Sequence, residues 1–175
     1  LVRTDGTRQP MSWMDSARPD GTPLIPRTGY LVEFNALWYN ALMFLLQMYA
    51  DDKQMQSRVE RWQKISDAYA ESFAPTFLND YGYLYDYVNG SYTDLSVRPN
   101  MVIAVGVDHT PLDRRQRKRI LDFITRELLT PKGLRTLSPN SYGYNPWYVG
   151  NPEQREKAYY SGSARPWLMG FYCHA

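Results

Sequence analysis

The amino-acid sequence predicts a mainly α-helical fold, with helical hairpins arranged around an axis and short β-hairpins in the loops. Apolar residues recur at helical spacing in several segments. These segments alternate with loops rich in glycine, proline and aromatic residues, and glycine and proline commonly end helices. The first two helical segments are separated by a very short connection, which is typical of an antiparallel helical hairpin. We expect the loops that carry the chemistry to gather at one end of the axis.

The first predicted helix spans about residues 32–50. Its apolar stripe follows helical spacing and consists of Phe34, Leu37, Trp38, Ala41, Leu42, Leu45 and Tyr49. Leu46 and Met48 widen this stripe, so we expect the helix to be buried on most sides. The second predicted helix spans about residues 52–73 and ends at Pro75. Its single face consists of Met55, Val59, Trp62, Ser66, Tyr69 and Phe73.

Residues 81–88 alternate with period two, which predicts a short strand that ends at Asn89-Gly90. Four tyrosines would share one strand face, either as a platform for a sugar or as packing over helix ends. They are Tyr81, Tyr83, Tyr85 and Tyr87. Asp86 lies on the opposite face and is a candidate acceptor for substrate hydroxyls.

The segment from Ser96 to Gly106 is predicted to be a third helix, with Pro99 in its first turn. Its body is apolar on every side, so we expect it to be buried. Arg98 and Asn100 would then lie at the end of a rigid support, aimed at a ligand. In the alternative interpretation, Arg98 pairs with a structural carboxylate such as Asp86 or Asp94.

A fourth helix is predicted after Thr110-Pro111, where Asp113 and Gln116 fit a capping box. The basic run over residues 114–119 lacks interleaved aromatic residues, so we interpret it as a solvated helix face. A second short strand is predicted over residues 134–137.

An aromatic loop is predicted over residues 138–152, followed by two further helices. The fifth helix begins at Pro152 and ends near Tyr160. The segment from Ser163 to Phe171 begins the sixth.

Composition limits the range of functions. The length of 175 residues suits one compact domain. A net charge of +2 does not favour nucleic acid as a partner, and the longest apolar run is too short to predict a membrane span. Cys173 is the single cysteine, so an internal disulfide is excluded, and no His, Cys or carboxylate cluster has metal-ligand spacing. Both ends look truncated, so we expect a piece of a longer protein, with exposed apolar surface or a partner chain covering it.

Two stretches combine carboxylates and amides with aromatic rings, which is what a sugar pocket needs. Ser12-Trp13-Met14-Asp15 places a carboxylate beside an indole, and residues 32–40 place Glu33, Asn35 and Trp38 at a helix start. Rings stack on pyranose faces, and polar groups bind the hydroxyls. Packing of the aromatic residues in a core is the alternative. Asp15 is the best candidate for a general acid, and we expect burial beside Trp13 to favour its protonated form. In the alternative interpretation, Asp15 caps a turn in the loop.

These two stretches, linked by Ile25-Pro26-Arg27, are joined by three later motifs in a fixed order. The later motifs are Val97–Asn100, Leu128–Pro139 and Ala158–Leu168. Together they resemble the amylo-alpha-1,6-glucosidase domain of glycogen debranching enzymes.

The resemblance implies a six-hairpin (α/α) toroid, of which residues 1–175 would be about half, as a partial catalytic domain. It implies cytoplasmic hydrolysis of α-1,6 branch points in glycogen-like glucans, with inversion and without a cofactor. Asp15 would be the general acid. Trp13, Trp38 and Trp167 would stack on sugar, and the predicted hydroxyl-binding residues are Glu33, Asn35, Asp86, Arg98 and Asn100.

The sequence departs from the resembled family at two points. Family members of the eukaryotic type carry the general base in a Gly-Pro-Glu-Trp motif, whereas this chain reads Gly162-Ser163-Ala164-Arg165. In bacterial-type members the base would lie beyond residue 175, so we predict that this chain alone is inactive. A His and a Trp of the family are also replaced here, by Tyr160 and Arg165. Two alternatives therefore stay open: a carbohydrate-binding or interaction module that has lost the reaction, and another toroid glycosidase of the trehalase or glucoamylase kind.

Overall fold

The computed structural model describes residues 1–6 and 10–175. Six α-helices dominate this described part, and two small antiparallel sheets lie in the connections. The fold is therefore mainly α-helical, as the sequence predicts. The helices are α1 (Val32–Met48), α2 (Gln56–Phe77), α3 (Asn100–Gly106), α4 (Arg114–Leu128), α5 (Pro152–Tyr160) and α6 (Met169–His174).

Each sheet has three short strands and ties distant parts of the chain together. The first joins β1 (Tyr30–Leu31), β2 (Tyr87–Asn89) and β3 (Tyr92–Thr93), in that order. The second joins β4 (Leu129–Thr130), β5 (Gly133–Arg135) and β6 (Ala164–Arg165). Because β1 leads directly into α1, the first sheet holds the start of α1 beside residue 86, where the Val32 amide donates to the Asp86 carbonyl at 3.2 Å.

Helix α3 forms the centre of the core. All seven of its residues are buried, and it packs against α1, α4 and α6. Close approach to α6 requires glycine at one position, because a Cβ on Gly106 would collide with the Phe171 carbonyl. The expectation of a buried third helix is therefore confirmed.

Helices α1 and α2 form the antiparallel hairpin that the sequence predicts. Tyr39 stacks on Tyr69 with ring centroids 5.9 Å apart, and Tyr49 contacts Trp62 at 6.0 Å. Residue numbers rise along α1 as they fall along α2, so the two helices run in opposite directions.

The apolar stripe that we assigned to α1 faces mostly outward. Its side chains Leu37 and Trp38 are 44% and 48% exposed, and Phe44 and Met48 are also exposed. The buried residues are Val32, Glu33, Asn35, Ala36, Leu42 and Leu46, of which the predicted stripe contained Leu42 and Leu46. This helix is apolar nearly all round, so its periodicity could not identify the inner face. The exposed apolar surface that we expected is present here.

The predicted strand over residues 81–88 is wrong for most of its length. Its first residues form turns around a single bridge between Leu78 and Leu84. The four tyrosines do not share one environment, since Tyr81 is exposed and Tyr83 is buried against Phe123. The chain must turn at Gly82, which has a φ of +88°, and a positive φ is incompatible with an extended strand.

Four predicted helix boundaries are also wrong. Helix α2 begins at Gln56 rather than near residue 52, where the Gln54 amide bonds the Asp52 side chain at 2.8 Å instead, and it continues past Pro75 to Phe77. Helix α3 begins at Asn100 rather than at Ser96, whose amide bonds the Asp94 side chain at 2.6 Å instead. Helix α6 begins at Met169, because Ala164 and Arg165 form β6 beside β5.

The predicted capping box at the start of α4 is confirmed. The Gln116 amide donates to Asp113 Oδ1 at 2.7 Å, and the Asp113 amide donates to Gln116 Oε1 at 2.9 Å. These bonds satisfy two amide groups that a helix otherwise leaves unpaired.

Replacing Asp113 with alanine should lower the free energy of unfolding by about 1 kcal/mol, because it removes this cap. Urea unfolding followed by circular dichroism measures the change. Asp122→Ala is the matched control, since Asp122 only pairs with Lys118 on the exposed face of the same helix at 2.6 Å. Its expected effect is below about 0.5 kcal/mol. Equal losses for the two variants would contradict the cap.

Candidate functional site

A buried ion-pair network lies at the start of α1 and is centred on Arg27. Its guanidinium contacts both carboxylate oxygens of Glu33, at 2.6 and 2.9 Å, and its Nε donates to Asp86 Oδ2 at 2.7 Å. The remaining donors reach the Asp86 carbonyl at 3.1 Å and Ser12 Oγ at 3.2 Å. All five N–H groups of Arg27 are therefore bonded within the protein.

Asp86 extends this network to the start of α3. Its second carboxylate oxygen accepts a hydrogen bond from Asn100 Nδ2 at 2.7 Å, and Arg98 Nε lies 3.6 Å from Oδ2. Arg98 also donates to the carbonyls of Tyr160 at 2.6 Å and Thr136 at 3.3 Å. The structural pairing that we left open for Arg98 is thus the arrangement observed.

The network carries two cations and two carboxylates, so its formal charges balance. Burial alone lowers the pKa of the Arg27 guanidinium, but the charges of Asp86 and Glu33 outweigh it and raise that pKa above its ordinary value. Burial lowers the pKa of the Arg98 guanidinium, and Asp86 opposes this effect. Since the charges are compensated internally, the cluster needs no charged ligand to be stable.

The network holds the segment that precedes Asp15. Trp13 Nε1 donates to Asn100 Oδ1 at 2.7 Å, and the Met14 amide donates to Ser12 Oγ at 3.2 Å. Met14 is itself buried. Two neighbours of Asp15 are therefore fixed through side chains that contact Arg27 or Asp86.

Aromatic rings surround Trp13 at the edge of this network. Its ring centroid lies 5.3 Å from that of Trp167, nearly edge-on, and 5.8 Å from that of Tyr160. Trp13 is partly exposed and Trp167 is 45% exposed. The two indoles therefore combine a fixed position with ring surface that remains open to a ligand.

Asp15 is exposed, so the buried environment that we expected for it is not found. The chain leaves the packed segment at Met14, and the next side chain projects outward. Ser16 turns back and bonds the carboxylate of Glu156, and its Oγ lies 2.9 Å from the Tyr160 hydroxyl. Burial raises the pKa of Tyr160, the bond from Ser16 opposes this, and the charges of Glu156 and Asp15 add to it.

Two predicted site residues lie apart from this cluster. Asn35 uses all four hydrogen-bonding positions of its amide on the Val2 backbone, the Leu31 carbonyl and the Tyr69 hydroxyl. Trp38 is on the exposed face of α1 and, within the described residues, contacts no other ring. The remaining predicted residues lie in or beside the cluster, namely Trp13, Asp15, Glu33, Asp86, Arg98, Asn100 and Trp167.

Sequence reasoning did not assign roles to Arg27, Ser16 or Glu156. Arg27 was named only as part of a linking motif, because its spacing from Glu33 and Asp86 does not predict that it pairs with both. Glu156 is 140 positions from Ser16 in the sequence, so no local pattern could have joined them.

The stretch in which the sequence departs from the resembled family packs closely against the ring cluster. The Arg165 guanidinium lies 3.1 Å from the ring centroid of Tyr159, in a cation–π contact. Burial lowers the pKa of Arg165, and Tyr159, Tyr148 and Glu156 oppose this. The cation that distinguishes this chain is therefore held on an aromatic face.

Comparison with known proteins identifies a family. A model of the family described as amylo-alpha-1,6-glucosidase matches residues 1–175. The chain belongs to the amylo-alpha-1,6-glucosidase family. This family member is also similar to the glycogen debranching enzyme of Saccharomyces cerevisiae, with 26% identity over 204 residues. That match covers 94% of the chain but only 13% of the yeast enzyme, so the chain spans a small part of its relative.

Within residues 1–6 and 10–175, no three His, Cys, Asp or Glu side chains are grouped as metal ligands would be. None of the helices found there combines the length and the apolar character needed to cross a bilayer.

Replacing Asp86 with alanine should destabilise the protein by about 3–5 kcal/mol, because Arg27 and Arg98 then stay buried while Glu33 is the one carboxylate left in the network. Glu153→Ala is the matched control, since it removes the exposed partner of Arg18, 3.1 Å away. Its expected effect is below about 1 kcal/mol. Urea unfolding of both variants measures the difference, and a mild effect of Asp86→Ala would show that the network is not the anchor described here.

Proposed function

We propose that this chain is part of a glycoside hydrolase that cleaves α-1,6-glucosidic branch points of glycogen-like glucans. The observation that carries the proposal is the position of Asp15, directly after a segment pinned by Asn100 and bordered by two partly exposed indoles. Membership of the amylo-alpha-1,6-glucosidase family and similarity to a yeast glycogen debranching enzyme support it.

In this proposal Asp15 is the general acid, which protonates the oxygen of the leaving group. Inversion requires a second carboxyl group roughly 6.5–9.5 Å away, with a water between them. We propose that the rest of the longer protein supplies this base. We also propose that it covers Asp15, which is exposed here.

The proposed sugar contacts begin with the rings of Trp13 and Trp167. The hydroxyl-binding roles of Glu33, Asn35, Asp86, Arg98 and Asn100, and the stacking role of Trp38, stay predictions. The contacts of the buried members favour a supporting role, because protein groups already bind most of their polar atoms.

We further propose that residues 1–175 form about half of an (α/α) toroid in a cytoplasmic enzyme. The exposed apolar face of α1 supports this, since such a face is normally covered in an intact fold. The remainder of the parent chain is its proposed cover, and a second chain is the alternative.

The parent protein should release glucose from a branched limit dextrin, and Asp15→Asn should abolish this release. The amide keeps the shape of the carboxylate but cannot supply the proton. A coupled glucose assay measures the rate, and Asp51→Asn, in an exposed turn, is the matched control. NMR of the first-formed anomer tests inversion.

Glucose release that persists in Asp15→Asn would show that another residue is the general acid. Saturable glucan binding by the parent without release would favour a carbohydrate-binding module. One observation favours that second candidate: residues 162–165 contain no carboxylate, whereas the resembled members of the eukaryotic type carry one there.

The isolated chain of residues 1–175 should release no glucose from the same dextrin at a concentration where the parent is active. The physical reason is that the proposed base lies outside these residues, and no water is activated without it. Circular dichroism establishes that the isolated chain is folded before the assay. Turnover by the folded chain would show that both carboxyl groups lie within these residues.

A further inference from the structure

A cleft opens beside the Asp15 segment, between the turn at residues 17–24 and the first turns of α5. Its volume is about 620 Å³, within the range of about 300–1,000 Å³ typical of small-ligand sites. Leu24 forms a buried floor, and Pro19 and Pro152 line the two walls. The polar groups at its edge are Arg18, Glu153 and Glu156.

Both walls of the cleft are fixed by local hydrogen bonds. In the turn, the Arg18 amide donates to the Thr22 carbonyl at 2.8 Å, and Ala17 bridges Pro23. In α5, Asn151 and Gln154 form a reciprocal capping box. The cleft is thus present without a ligand, so binding would require little ordering of the protein.

Glu156 connects the cleft to the candidate acid. One of its oxygens accepts the hydrogen bond from Ser16, the residue that directly follows Asp15. Among the described residues, no group is hydrogen-bonded to its other oxygen, and Glu156 lines the cleft. A partly buried carboxylate with one oxygen bound and one open is suited to accept a hydroxyl from a ligand.

The chemistry of the cleft points to an uncharged ligand rich in hydroxyl groups. Two carboxylates disfavour an anion, and Arg18, the arginine that lines the rim among the described residues, is already paired with Glu153 at 3.1 Å. The apolar floor and the proline walls suit the C–H face of a sugar ring.

We propose that this cleft binds a glucosyl unit on the leaving-group side of the scissile bond, with Glu156 accepting one of its hydroxyls. This inference rests on the proposed function. The side of the bond follows from the acid, because the oxygen that Asp15 protonates departs with the leaving group. Trp13 and Trp167 would hold the glucosyl unit on the other side.

The test compares the parent protein with its Glu156→Gln variant on two substrates. α-Glucosyl fluoride has a leaving group too small to reach the cleft, whereas a branched limit dextrin fills it. The glutamine retains an acceptor for Ser16 but loses the charge, and hydrogen bonds to ionised groups are roughly twice as strong as neutral ones. We expect kcat/KM for the dextrin to fall about tenfold, with no change for the fluoride. Glu71→Gln, on the exposed side of α2, is the matched control.

Two kinetic outcomes would overturn the proposal. An equal loss on both substrates would make Glu156 a support for Asp15 rather than a ligand-binding group. No loss on the dextrin would mean that the cleft is not used.

If the parent hydrolyses neither substrate, the proposed function fails and calorimetric titration with a linear maltooligosaccharide decides the inference separately. Saturable binding that Glu156→Gln weakens about tenfold would support the cleft as a glucan site. Binding that is absent, or equal in the parent and the variant, would overturn it.

Discussion

The pairing of Arg27 with Glu33 and Asp86 is the interaction on which the rest of this structure depends. It joins the loop before α1, the first turn of α1 and the chain before β2 in one buried contact. Removing charged groups from water costs several kcal/mol for each ion, and only the mutual pairing offsets that cost. The network therefore contributes chiefly by fixing the relative positions of the segments that it joins. It allows one placement of the chain at Asp86 against Arg27, 59 positions earlier, and disfavours others, in which a charge would remain buried without a partner.

That placement determines the character of the candidate site. Asn100 is hydrogen-bonded both to Asp86 and to the indole of Trp13. The aromatic edge of the site is therefore held against the core. Asp15 comes one residue after buried Met14 and is free of these contacts. A group that exchanges a proton with a substrate must reach it, so an exposed carboxylate on a fixed segment is compatible with the acid role proposed for Asp15.

The second side of the site is built from α5 and the strand that follows it. Tyr160 and Arg165 replace a His and a Trp of the resembled family, and both pack into the ring cluster. Glu156 lies on the same helix and meets the chain just after Asp15. Residues that are distant in sequence therefore contact the segment that follows Asp15.

The sequence by itself determined the helical class, the α1–α2 hairpin, the buried α3 and the cap at Asp113, because local periodicity and side-chain chemistry encode them. It also gave the family, through motifs in a fixed order. The inner face of α1, the turn at Gly82 and the start of α6 were decided by tertiary structure. So was the partnership of Arg27 with Glu33 and Asp86. The physical reason is that burial of an ion, or of one side of an all-apolar helix, depends on partners far along the chain, and no local pattern records them.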